Sequence, residues 1–137
     1  MDSSIQIKIR NVLSDFKFKN LKEKDFAKSS VYYLTNCADK IYVKANIKNN
    51  KIIKISWNGE GCSISFLSSE LIARLINKKN VNEAKEILKK LKDFANNDIS
   101  LPKGDIFDLL GFLKEHPIRK RCLLVAANSY LLELNKF

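Results

Sequence analysis

This sequence predicts an α+β fold: a small antiparallel β-sheet of about three strands packed against helices. Three observations lead there. Ile41, Val43, Ala45 and Ile47 alternate with polar neighbours, and Ile53, Ile55 and Trp57 resume the alternation after Lys48-Asn49-Asn50-Lys51, which reads as a turn. After Cys62 the apolar period becomes helical. The resulting order, helix, antiparallel sheet, then helices, is the α+β pattern.

The first element admits two readings. Ile5, Ile7 and Ile9 alternate as in a strand, whereas Ile5, Ile9, Val12, Leu13 and Phe16 share a helical face with Ser3 or Ser4 as a cap. The helical reading is taken. A charged connector runs through Lys24, and Val31-Tyr32-Tyr33-Leu34 reads as a strand ending near Cys37. The hairpin follows and is broken by Asn58-Gly59-Glu60-Gly61. Ile64, Leu67, Leu71, Ile72, Leu75 and Ile76 then form one helical face, and Val81, Ala84, Ile87, Leu88, Leu91, Phe94 and Ala95 form another. A polar loop with Pro102 and Gly104 precedes a short helix from about Asp105 to Leu113. Pro117 suits the first turn of the last helix, which carries Cys122, Val125, Ala126, Leu131 and Leu134.

The 137 residues fit a single domain spanning 1–137, long enough to need no disulfide staple. No basic start with a long apolar run suggests a signal peptide, and no apolar stretch is long enough to span a membrane, so a cytoplasmic protein without membrane contact is expected. The formal charge of +10 raises nucleic-acid binding. Yet the basic residues are spread over almost every segment, as in Glu86-Ile87-Leu88-Lys89-Lys90-Leu91-Lys92, and do not alternate with aromatic platforms. A solvated lysine coat accounts for them, and no nucleic-acid partner is expected.

The 3 cysteines are the chemical signal. Cys37 and Asp39 lie at a strand-end turn, Cys62 opens a helix after a Gly-Glu-Gly bend, and Cys122 lies in the first turns of another helix. Such positions can converge at one end of a sheet. Three thiolates and one carboxylate suit tetrahedral zinc, and thiolates equally hold iron–sulfur clusters. The competing reading is that each cysteine is a small buried hydrophobe, and no Cys-x-x-Cys pair decides against it. His116, before Pro117, reads as a capping or surface residue, and Glu60 as a solvated turn carboxylate. Gly59-Glu60-Gly61 is too short for a phosphate loop.

Gly59-Glu60-Gly61-Cys62-Ser63-Ile64-Ser65, followed by Ser68, resembles the Gly-x-Gly-Cys-x-Ile-Ser segment of the SufU/IscU-type iron–sulfur cluster assembly proteins, relatives of the N-terminal part of NifU. Cys37-Ala38-Asp39 resembles the Cys-Gly-Asp of that family. Arg119-Lys120-Arg121-Cys122, with Arg121 where IscU proteins carry His, resembles the SufU branch. The sequence departs from the family at Leu34-Thr35, where Asn-Pro is usual, at Ala38 in place of Gly, and at Ala127, near a usual Trp. The resemblance implies zinc held by Cys37, Asp39, Cys62 and Cys122. It implies Cys37 as the acceptor of persulfide sulfur from a SufS-like cysteine desulfurase, with Arg119 in support. On this reading the protein is a sulfurtransferase or sulfur carrier serving apo iron–sulfur proteins or other assembly factors. The alternative is a scaffold for a [2Fe–2S] cluster on the same ligands.

Overall fold

The computed structural model describes residues 3–32, 39–97, 99–115 and 117–137. Its elements are α1 (Ser3–Leu13), β1 (Ser30–Val31), β2 (Lys40–Lys48), β3 (Lys51–Glu60), α2 (Ser63–Ile76), α3 (Val81–Asn97), α4 (Asp105–Gly111) and α5 (Pro117–Leu134). Short 3-10 helices lie at Glu23–Lys28 and Phe112–Glu115. The three strands form an antiparallel sheet in the order β1-β2-β3, and helices cover one of its faces, as expected.

The helical reading of the first segment holds, because Ile7 is 54% exposed while Val12 is buried, a helical rather than a two-residue pattern. The hairpin is closed by Asn49 and Asn50, both with positive φ (52° and 61°). That is the mirror-image turn whose twist matches paired strands, and Asn tolerates it. Beyond the turn, the expected phase of β3 needs correction. The register passes from Asn46↔Lys54 to Ile47↔Ile52, so Ile53 has no partner and is extruded as a bulge. Ile53 is therefore exposed, and Ile52 takes the buried place beside Ile55 and Trp57. Of the strand expected over 31–34, β1 includes Val31 and Tyr32 lies outside it, and residues 33–38 lie outside the described set.

The inner face of the sheet, Ile41, Val43, Ala45, Ile52, Ile55 and Trp57, packs with Leu67, Leu71, Ile72, Leu88, Leu91, Leu123, Val125, Ala126 and Tyr130 from α2, α3 and α5. Two carboxylates are buried with this core. Glu70 on α2, fully buried, accepts hydrogen bonds from the backbone N–H groups of Lys17 and Phe18, from Trp57 Nε1 and from Arg74 Nε. Glu133 on α5 accepts from Ser30 Oγ and the Ala45 N–H and pairs with Lys136 at 2.9 Å. Both charges are offset by several donors, the condition for a buried carboxylate to be tolerated.

Between α1 and β1 the chain forms a strap. Residues 18–21 run along the outer edge of β3, bonded through Trp57 N–H to Phe18 O and Leu21 N–H to Trp57 O. The chain then crosses the sheet face turned away from the helices. There Asn58 Nδ2 donates to Leu21 O and Phe26 stacks on Tyr42 at 4.3 Å. Glu70 thus holds both the strap's beginning and the Trp57 that anchors it. Glu70→Ala should lower the unfolding free energy by about 3–5 kcal/mol, because it leaves Arg74 and three N–H donors without their acceptor. Urea unfolding measures this, and a loss below about 1 kcal/mol would show that the carboxylate is not the anchor.

Candidate metal centre

The site forms where β2 begins and β3 ends. Gly59 stands opposite Ile41 in the hairpin, and a Cβ there would lie 2.2 Å from Lys40 O. Gly61 has φ +149°, and a Cβ there would lie 2.3 Å from Asp39 Oδ1. Glycine is therefore required at both positions, for close approach at Gly59 and for close approach and backbone conformation at Gly61. The Gly-x-Gly bend brings Cys62, at the start of α2, against the carboxylate that precedes β2.

Asp39 is 7% exposed and both of its oxygens are engaged. Oδ1 accepts the Cys62 N–H at 3.1 Å, and Oδ2 accepts the Ser65 hydroxyl. The Cys62 side chain makes no cap bond to its own helix, so Asp39, distant in sequence, satisfies the first turn of α2 instead. Its charge also lies where the positive end of the helix dipole favours an anion. From the sequence, Ser65 stands out only as part of the Gly-x-Gly-Cys-x-Ile-Ser segment. Its signal was its place three residues after Cys62, the spacing that returns a side chain to the helix entrance.

α5 supplies the third group. Cys122 is buried, with its Sγ 3.3 Å from Asp39 Oδ2 and 3.5 Å from Cys62 Sγ, while Cys62 Sγ lies 3.8 Å from Asp39 Oδ2. The two cysteines are free thiols. Metal–sulfur bonds of about 2.3 Å and metal–oxygen bonds of about 2.0 Å give a tetrahedral ion donor–donor edges of roughly 3.5–3.8 Å. The three observed separations lie within about 0.3 Å of such edges, so one ion can be reached by Asp39, Cys62 and Cys122 together. Cys37 lies outside the described residues, two positions before Asp39, and so does His116. Arg119 sits one turn before Cys122 on α5 with its guanidinium 5.3 Å from the Phe112 ring centroid. Among the described residues it makes no hydrogen bond to Asp39.

Residues 7–106 match the model of the NifU-like N terminal domain. This chain belongs to the NifU-like N-terminal domain family. The matched span contains Cys37, Asp39 and Cys62 and stops short of Cys122, which the fold nonetheless delivers to the same point. An uncharacterised protein of Mycoplasma pneumoniae is 28% identical over 126 residues, covering 88% of this chain and 90% of that protein. The zinc-dependent sulfurtransferase SufU of Bacillus subtilis is 29% identical over 119 residues, 82% of this chain and 80% of that protein. The fold is shared with a putative iron–sulfur cluster assembly scaffold protein for the SUF system from Fervidobacterium islandicum, with a TM-score of 0.73, 22% identity and coverage of 92% and 93%. No helix among the described residues is long and apolar enough to cross a membrane.

Burial pushes the Cys122 thiol up from 9.0 to about 12; its Ser65 contact partly offsets this, and Cys62 and Asp39 add to it. Below pH 9.0 this thiol is protonated in both folded and unfolded chains. Above that value the unfolded chain releases a proton that the folded chain keeps, so Cys122's contribution to stability is lost as pH rises through about 12. In metal-free protein the urea midpoint should therefore fall more steeply between about pH 9 and 11 than in Cys122→Ala. Parallel pH dependences in the two proteins would contradict the buried neutral thiol.

Proposed function

We propose that this protein acts in iron–sulfur cluster assembly as a zinc-dependent sulfur acceptor, taking persulfide sulfur from a cysteine desulfurase of the SufS type. The observation that carries the reading is the convergence of Asp39, Cys62 and Cys122 on a point that one tetrahedral ion can share. Family membership supports it, as does the similarity to a protein described as a zinc-dependent sulfurtransferase.

The proposed ligands are Cys37, Asp39, Cys62 and Cys122. When bound, zinc would hold coordinated thiols deprotonated at neutral pH. The chain's own residues divide the remaining tasks. Asp39 is fixed by Cys62 N–H and Ser65 Oγ, so its carboxylate is oriented before any metal arrives. Cys62 and Cys122 are held by helices, Cys62 at the mouth of the site and Cys122 beneath it. Cys37 is the proposed acceptor. Its thiolate attacks the outer sulfur of the desulfurase persulfide, the desulfurase S–S bond breaks, and the desulfurase cysteine leaves as a thiolate. Cys37 then carries the persulfide to an apo iron–sulfur protein or a further assembly factor. Arg119 is assigned a supporting role, countering the negative charge of four anionic donors or meeting an acidic partner surface.

The second reading is a scaffold that builds a [2Fe–2S] cluster on the same donors. The thiol pair favours it equally on chemical grounds, and the structural neighbour from Fervidobacterium islandicum is described as a scaffold protein. Incubation with cysteine and the desulfurase separates the readings. A trapped persulfide on Cys37, detected by mass spectrometry and absent in Cys37→Ser, is expected. Labelling confined to Cys62 or Cys122, or full transfer by Cys37→Ser, would remove Cys37 from its role. Assembly of a coloured cluster with no persulfide at any time would favour the scaffold.

A further inference from the structure

The face of the sheet turned away from the metal centre's helices holds a second candidate site. Where the strap crosses β2 and β3, it leaves an open-mouthed cleft of about 240 Å³. Lys22, Lys24 and Asp25 line it from the strap, and Lys44, Lys54 and Ser56 from the strands. Lys44 pairs with Ser56 across the ladder, so their side chains emerge side by side on this face.

Two independent features distinguish the cleft from a lysine coat. Among the described residues, none of the four lysines has an ion-pair partner, and Asp25 pairs with none of them. Four lysines thus line one hollow with a single opposite charge, a concentration of positive charge that favours an entering anion. Ser56, a largely buried residue at 8% exposure, lines the cleft and adds a hydroxyl that can donate to an anion there. The walls are also tied in place. The strap is fixed by Leu21 N–H to Trp57 O, by Asn58 Nδ2 to Leu21 O and by the Phe26–Tyr42 stack.

We propose that this cleft binds a small polyanion of the phosphate class, held by Lys22, Lys24, Lys44 and Lys54 with Ser56 as a hydrogen-bond donor. The cleft has the size for a phosphate or diphosphate group. Its lining is polar, unlike the mostly apolar pockets that take neutral organic ligands. The site is separate from Asp39, Cys62 and Cys122, and the proposal stands whether or not the sulfur-transfer reading does.

The test is titration of the full chain with inorganic diphosphate at roughly 150 mM salt, followed by calorimetry and amide chemical shifts. Saturable binding is expected, with shifts centred on Lys44, Ser56 and the strap. The Lys44→Gln/Lys54→Gln pair should weaken it about tenfold or more, since two charged donors are removed. Ser56→Ala, which leaves the charge unchanged, should also weaken it. Lys89→Gln/Lys90→Gln on α3, equal in charge change, should not. ADP serves as a parallel probe: affinity equal to that of diphosphate means that phosphate alone is read, and tighter binding means that a nucleotide is. Either result leaves the anion site standing. Absence of saturable binding, or equal losses from the two lysine pairs, would overturn it. So would single-stranded RNA binding that depends on Lys44 and Lys54 in a protein that ignores diphosphate.

Discussion

The Asp39 carboxylate is the constraint on which the site depends. It stands immediately before β2, yet both of its oxygens are spent on the first turn of α2, through Cys62 N–H and Ser65 Oγ. A single side chain therefore fixes the end of the sheet to the start of a helix. The glycines of the bend follow from this. Asp39 Oδ1 occupies the space a Cβ of residue 61 would need, and Lys40 O occupies that of residue 59. Cys62 is then placed by backbone geometry rather than by its own packing, which is why an exposed thiol can be held in a defined position. Cys122 completes the group because α5 packs on both α2 and β2. Pre-orientation of the donors by hydrogen bonds outside the metal shell is what gives such sites their affinity and order.

The same device is used twice more. Glu70 and Glu133 are carboxylates sunk in the helical layer that gather donors from the sheet and the strap. Each replaces what could have been apolar packing with directional bonds. Apolar surface would supply stability as well or better, but it would not specify where a connector of polar residues should lie. Here the connector runs along β3 and across the open sheet face, and the basic cleft exists because of that route.

Much of this was legible in the sequence. α2, α3 and α5 carry apolar faces long enough that period alone places them, and the Asn-Asn turn announces the hairpin. Residue type and position allow Cys37, Asp39, Cys62 and Cys122 to share a site, the family resemblance makes them one ligand set, and the fold brings Asp39, Cys62 and Cys122 within 4.8 Å of one another. What escaped was governed by contacts between distant segments. The bulge turns Ile53 out and Ile52 in because the two are identical in hydrophobicity, and only the register decides which of them is extruded. Glu70 and Glu133 look like surface charges until Trp57, Phe18 and Ala45 are seen to donate to them. Ser65 could have been found from its helical spacing, since Cys62 and Ser65 occupy the positions of a capping pair. The missing cap residue was Asp39, more than twenty positions earlier, and no local pattern indicates that.

Oriented carboxylate, mouth thiol and buried thiol can supply three corners of a coordination site, and Cys37 is the proposed fourth. X-ray absorption at the zinc edge of the loaded protein tests that assignment most directly. The account predicts a shell of three sulfur donors and one oxygen donor in the wild type, with one sulfur lost in Cys37→Ser and the oxygen lost in Asp39→Ala. A wild-type shell of nitrogen and oxygen alone, or a spectrum unchanged in Cys62→Ala and Cys122→Ala, would contradict it.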